Sequence, residues 1–213
     1  MGTLLSTSST SSRSRLKAPD RRAQILSAAL DVFSEHGFHG TRTRELAARA
    51  GVSEALIFRH FPTKQALVRE ILRDAEARAR MLERRFAEMP PREALQTLAE
   101  YVLTRLREDP RLFRVIFFGV LETPQLARAF YRRLLSRILA LEERLFRRAF
   151  AESKRAGRCP AARVPPRIVA RSFHGSLLFY NLAGAVVRME PLPRDPRALA
   201  AAIVDLYLPG ENP

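Results

Sequence analysis

Residues 43–61, TRELAARAGVSEALIFRHF, have the types and spacing to grip double-stranded DNA. Leu46, Ala47 and Ala50 fall at helical spacing on one side of a short amphipathic helix. Gly51 stands where the chain must turn sharply, and a residue without Cβ takes positive φ there at little cost. Val52 follows as an apolar plug, and Ser53 is placed to cap a second helix that turns Ile57 and Phe61 inward. Two short helices joined by a tight turn, the second offering a polar and basic face, suit insertion into a major groove.

Catalytic chemistry finds no comparable pattern. His36 and His39 flank a loop, His60 lies inside the helix pair and His174 stands alone. No His/Glu pair has metal-ligand spacing, and neither a glycine-rich phosphate loop nor a nucleophile motif occurs. The expectation is therefore no enzyme, no metal and no cofactor. The one cysteine, Cys159, rules out an internal disulfide framework and fits a reducing cytoplasm. It reads as an incidental loop residue ahead of a redox sensor.

The elements around the pair must position it. Upstream, residues 21–37 place Ile25, Ala29, Val32 and Phe33 on one helix face, and Gly37 ends that helix. Downstream, Thr63 caps a long helix reaching about Met89, with Lys64 in its first turn. Residues 92–107 read as a further helix carrying Leu95, Leu98, Val102 and Leu106, followed by a short apolar segment, RLFRVIFFGVLE. Thr123 and Pro124 look like the cap and first residue of a long helix to about Ala156. A loop over residues 157–166 precedes two final helices, about 167–188 and 195–208, separated by the link EPLPRDP. Recurrent 3.6-residue periods without alternating β-branched runs make the expected fold all-α.

The stretch ILSAALDVFSEHGF, the residues from Thr41 to Arg44, then ELAARAGVS and FRHFPTKQALV, closely resembles the tetracycline-repressor (TetR) family of bacterial transcription regulators. The resemblance covers residues 21–72, about a quarter of the chain. It implies that Arg44, Glu54, Ala55 and Arg59 meet base edges, while Thr41, Arg42, Thr43, His60 and Lys64 fix register on phosphates. Ser53, Leu56 and Phe58 complete the expected DNA-binding set. Phe58 stands where the family usually has a tyrosine whose hydroxyl reaches a phosphate, so it can only pack against sugar. Leu56, often small or hydroxylated in the family, either meets a thymine methyl or packs inward.

The resemblance further implies a homodimer on a palindromic operator. The last two helices of each subunit would pair in a four-helix bundle. Gly175, Ser176, Ala183 and Gly184 are small enough for close approach, and Leu178, Leu182, Val186, Leu199, Ile203 and Leu206 supply apolar area. The same residues also suit an ordinary internal core. An apolar effector pocket is expected in the larger domain, with Phe113, Ile116, Phe117, Leu121, Phe130, Tyr131, Phe173, Leu177, Tyr180 and Asn181 as lining candidates. His174 reads as a hydrogen-bonded helix residue before a ligand contact.

Length and composition set the frame. At 213 residues the chain divides into a tail (1–19), a DNA-reading head (20–66) and a ligand-binding and dimerisation domain (67–213). The tail is Ser/Thr-rich, with Arg13, Arg15 and Lys17, and is expected to be disordered, either idle or brushing phosphates. Lacking an apolar core, it is not a signal peptide. The apolar run 173–187 is too short and too interrupted to span a bilayer, so a soluble, cytoplasmic protein without membrane contact is expected. Net charge is +15, but the head holds seven basic against five acidic residues. Most of the surplus, nearly all arginine, therefore lies in the larger domain. Either an arginine-biased genome or an anionic effector, such as a fatty acid or its coenzyme A thioester, accounts for it.

These features support a ligand-responsive repressor released by a small apolar or amphipathic effector. The alternative is a DNA-binding regulator without such an effector, or an activator.

Overall fold

The computed structural model describes residues 18–156, 163–187 and 195–208, and among them all regular structure is helical. The expectations for residues 1–17 of the tail, for Cys159, for most of the loop over residues 157–166 and for most of the link before residue 195 lie outside the described residues. No described helix is long and apolar enough to cross a membrane.

Helix α1 (Ala18–Gly40) buries Ile25, Ala29, Val32 and Phe33 as the spacing predicts. Gly37, at φ 70° and ψ −178°, kinks it before its last turn. Helix α2 (Thr43–Ala50) ends at Gly51, whose φ of 60° and ψ of 35° let its N–H bond back to Ala47 and Ala48. Helix α3 (Glu54–His60) starts at Ser53, whose hydroxyl accepts the Leu56 N–H at 3.2 Å. The Thr63 hydroxyl caps α4 (Lys64–Ala87) in the same way. Helix α5 (Pro91–Glu108) follows a proline pair.

The apolar segment after Pro110 forms a full helix, α6 (Arg111–Glu122). The expected single helix after Thr123 is a run of α7 (Pro124–Phe130), one π-helical turn (Tyr131–Leu135) and α8 (Ser136–Ala156). Thr123 and Pro124 stand as cap and first residue of α7 as expected, and the Thr123 carbonyl accepts the Ala127 N–H, but its buried hydroxyl makes no capping bond. Helix α9 (Pro166–Asn181) also runs into a π turn (Leu182–Val186), and Asp195 caps α10 (Pro196–Tyr207).

Two cores hold these helices. The first joins α1, α2, α3 and the start of α4 to Val115 of α6 and Leu126 of α7, so the head is packed onto the larger domain. The second gathers Phe86 with α5, α8, α9 and α10. Here Phe146, Phe173 and Tyr207 meet edge to face at 5.4–5.9 Å, a favoured aromatic geometry. Ile203 and Leu199, candidates for a dimer face, instead serve this core. Their side of α10 is turned inward. Outside it, Ile168 and Phe179 of α9 and Leu206 of α10 stay exposed, and the space beside Gly175 is open.

Candidate nucleic-acid interface and adjoining cavity

Helices α2 and α3 present one continuous outer face. Arg42, Arg44, Ser53, Glu54, Ala55, Phe58 and Arg59 are exposed on it, while Thr43, Leu56 and His60 are half-buried. The opposite sides of both helices are consumed by Leu46, Ala47, Ala50 and Ile57 in the first core. Phe58 is 45% exposed, a large apolar ring kept in solvent on a helix whose inner side is already filled.

Two expected phosphate contacts are redirected inward. Thr41 is only 2% exposed, and its hydroxyl donates to the Gly37 carbonyl at 2.7 Å. Lys64 sends its Nζ to the carbonyls of Phe38 and Thr41, both at 2.9 Å, and lies over the Phe38 ring. Carbonyls freed where α1 ends need donors, and these two residues supply them. They brace the head instead of facing outward.

Arg49 is likewise occupied, holding both oxygens of Glu35 at 2.9 Å. That bidentate bond keeps the Glu35 carboxyl below the usual carboxylate range. His36 meets Glu45 at 2.8 Å, so Glu35, His36 and Glu45 cluster within 4.8 Å. With Arg49 on both Glu35 oxygens, the cluster is a salt-bridged seam between α1 and α2.

Behind the head lies a cavity of about 480 Å³, within the range of small-molecule sites. Leu26 and Leu30 of α1 form one wall and Ile71 of α4 the next. Val102 of α5, Leu112, Phe113 and Ile116 of α6, and Phe130, Leu134 and Ile138 continue the lining around to His174 of α9. Charged groups Asp74, Arg78, Arg105 and Asp109 also border it.

Of the expected lining residues, Phe113, Ile116 and Phe130 are present. The others are corrections with separate causes. Phe117 stacks on Phe113 at 6.3 Å without reaching the lining, and Leu121, 69% exposed, points to solvent. The π turn starts at Tyr131 and leaves it 48% exposed, and Tyr180, partly exposed, does not line the cavity. Phe173 and Leu177 are filled into the second core. Asn181 is fully buried, donating from its amide to the Leu177 carbonyl at 2.6 Å. The walls from α1, α4 and α5 were missed, because their spacing is that of any core helix.

Helix α6 lines the cavity beside α1 and also grips α1 through polar contacts. Arg111 reaches Asp31 at 2.6 Å and holds Asp109 through two nitrogens, each at 2.7 Å. Arg114 donates to the Ser34 carbonyl at 2.7 Å. At the far end, Glu122 accepts the His39 N–H at 2.9 Å.

The Arg111 bonds hold the Asp109 carboxyl below its ordinary range, with burial opposing. A depressed carboxyl contributes stability above its unfolded value, near ~3.9, and loses it as pH falls through the lower folded value. Asp109→Asn should therefore cost about 1 kcal/mol at pH 7. In urea melts of both proteins, that difference should close as the pH drops below about 4. A gap that persists unchanged in acid would show that the charge on Asp109 is not its source.

Residues 25–71 match the model of the tetR family of bacterial regulatory proteins. The HTH-type transcriptional regulator RutR of Escherichia coli strain K12 is 50% identical over 64 residues. That match spans 30% of either chain. Among solved structures, the fatty acid degradation regulator FadR of Bacillus halodurans superposes with a TM-score of 0.73 at 20% identity, covering 93% of this chain and 99% of its own. FadR of Bacillus subtilis, in complex with stearoyl-CoA, gives 0.70 at 17%, covering 89% and 99%. At such identities the likeness to both is one of fold.

Proposed function

On the match of residues 25–71 to the tetR family of bacterial regulatory proteins, we propose that this chain is a DNA-binding transcriptional repressor released by a small amphipathic effector. The exposed face of α2 and α3 supplies the contacts. Arg44, Glu54, Ala55 and Arg59 read base edges, and Arg42, Thr43 and His60 hold the backbone. One observation carries the regulatory part of the reading. Helix α1, whose inner face builds the head's core, is itself a wall of the cavity.

An effector in that cavity touches the head without intermediary. It presses on Leu26 and Leu30 from one side and on the α6 residues Phe113 and Ile116 from another. Since α6 grips α1 at both ends, a small displacement of α6 carries the head with it. Helix α4, which leaves the head and lines the cavity through Ile71, is one of three such routes. The effector acts only through its different affinity for the DNA-bound and released arrangements.

The active unit is a homodimer formed through the exposed parts of α9 and α10. Two heads are needed for useful affinity, and their separation must match half-sites ~34–36 Å apart or a multiple of that. For the effector, a fatty acid or its coenzyme A thioester suits an apolar cavity bordered by Arg78 and Arg105. The stearoyl-CoA bound by the Bacillus subtilis neighbour supports that class.

Selection of genomic DNA fragments on the purified protein at physiological salt tests the reading. Recovery of a short palindrome is the expected result. Binding that is blind to sequence and lost with added salt would overturn it.

A further inference from the structure

Glu142 is fully buried in α8, and His174 beside it is 7% exposed. The Glu142 Oε1 lies 2.9 Å from the His174 Nδ1, while Oε2 has no hydrogen-bond partner. Such a pair is expensive inside a core of phenylalanine and leucine. Apolar residues of like volume would hold the helices together as well or better. Packing therefore gives no reason for it.

The cavity does give one. His174 lines it, and with Nδ1 held by Glu142 the ring's other nitrogen is the polar atom left to face a ligand. The cavity's charged border residues Asp74, Arg78 and Arg105 have side chains 69%, 46% and 50% exposed. Polarity thus occurs at a wet margin and again at a dry wall. A ligand that filled the site with hydrocarbon alone would leave the dry pair unpaired.

Taking the cavity to be the effector site, as proposed above, we propose that His174, oriented by Glu142, receives an oxygen on the buried end of the effector. The site then prefers a free carboxylic acid lying carboxyl-inward over a coenzyme A thioester, whose buried end would be a methyl group. Burial pushes the Glu142 carboxyl up, toward its neutral form, with His174 opposing. A neutral Glu142 places no second negative charge against a bound carboxylate. Glu142 is a positioning residue, since it acts through His174.

The test uses the full chain with ¹⁵N-labelled histidine, titrated with dodecanoic acid, 1-dodecanol and dodecanoyl-CoA. Affinities are read by displacement of the neutral dye Nile red. Among the four histidines, His174 alone should shift its ring nitrogens when dodecanoic acid binds. His174→Phe should keep dye binding and lose about tenfold or more in affinity for the acid. Glu142→Gln, which keeps a hydrogen-bonding partner for Nδ1 in either tautomer, should lose less. The acid should bind more tightly than dodecanoyl-CoA, and 1-dodecanol shows whether a hydroxyl suffices.

Dodecanoic acid that binds without moving the His174 resonance would overturn the proposal. So would tighter binding of the thioester. If His174→Phe fails to fold, the wild-type resonance decides alone. Failure of the dye and all three amphiphiles to bind would instead remove the effector site itself, and this proposal with it.

Discussion

Gly37→Ala should cost more than Gly51→Ala, although both glycines take positive φ in the same small head. At Gly51, φ 60° and ψ 35° lie in the left-handed helical region, and nothing stands within 4 Å of an added Cβ. Alanine there pays only the backbone term, roughly 1–2 kcal/mol. Gly37, at φ 70° and ψ −178°, occupies a region almost closed to other residues, worth about 1–3 kcal/mol by itself. An added Cβ would also collide with the Glu122 carboxylate. That flexible end must swing aside, which strains its bond to the His39 N–H. Loss of this exposed hydrogen bond adds at most about 1 kcal/mol to the cost. Thermal melts should fall by about 10 °C for Gly37→Ala and by less than half of that for Gly51→Ala. Equal losses at the two sites would show that the Glu122 contact contributes nothing.

Leu206→Arg should split the dimer and weaken operator binding by about 10²–10⁴-fold. Leu206 is 75% exposed on α10 and Phe179 is 67% exposed on α9. Arginine at position 206 costs the isolated subunit little, because the side chain there already meets water. Across a two-fold interface the substitution counts twice and sets like charges together. Sedimentation should report a folded monomer, and fluorescence anisotropy should report the loss on DNA. A dimer of unchanged operator affinity would place the interface elsewhere, with Phe179→Arg as the check on α9.

The head was legible from sequence because its signals are local. Four apolar residues at helical spacing on α1, the glycines at 37 and 51, and the hydroxyls of Ser53 and Thr63 before α3 and α4 fix the head within a few residues. Thr41 misled for a physical reason. The resemblance implied a phosphate contact, but the side chain is buried and its hydroxyl is taken by the Gly37 carbonyl. The cavity was only half legible. Phe113, Ile116 and Phe130 announce themselves as aromatic or bulky, whereas Leu26, Leu30 and Val102 look like any core positions.

The parts that couple cavity to head left no trace in the pattern. Arg111 and Asp31 are 80 positions apart, and Glu122 and His39 are 83. No spacing rule relates such pairs. The π turn at Tyr131–Leu135 is equally silent, since the periods on either side of it both read as helix. It nevertheless decides that Leu134 faces the cavity and Tyr131 faces solvent.

The proposed regulation is a competition, carried through α1 and α6, between a molecule in the cavity and a palindrome on α3. The direct measurement is operator affinity by fluorescence anisotropy, on protein stripped of bound lipid and then saturated with dodecanoic acid or stearoyl-CoA. Native mass spectrometry verifies occupancy in each sample. The account expects at least one occupied form to bind the palindrome about tenfold or more weakly than the empty one. If both occupied forms bind it as tightly as the empty protein, the cavity does not govern the head.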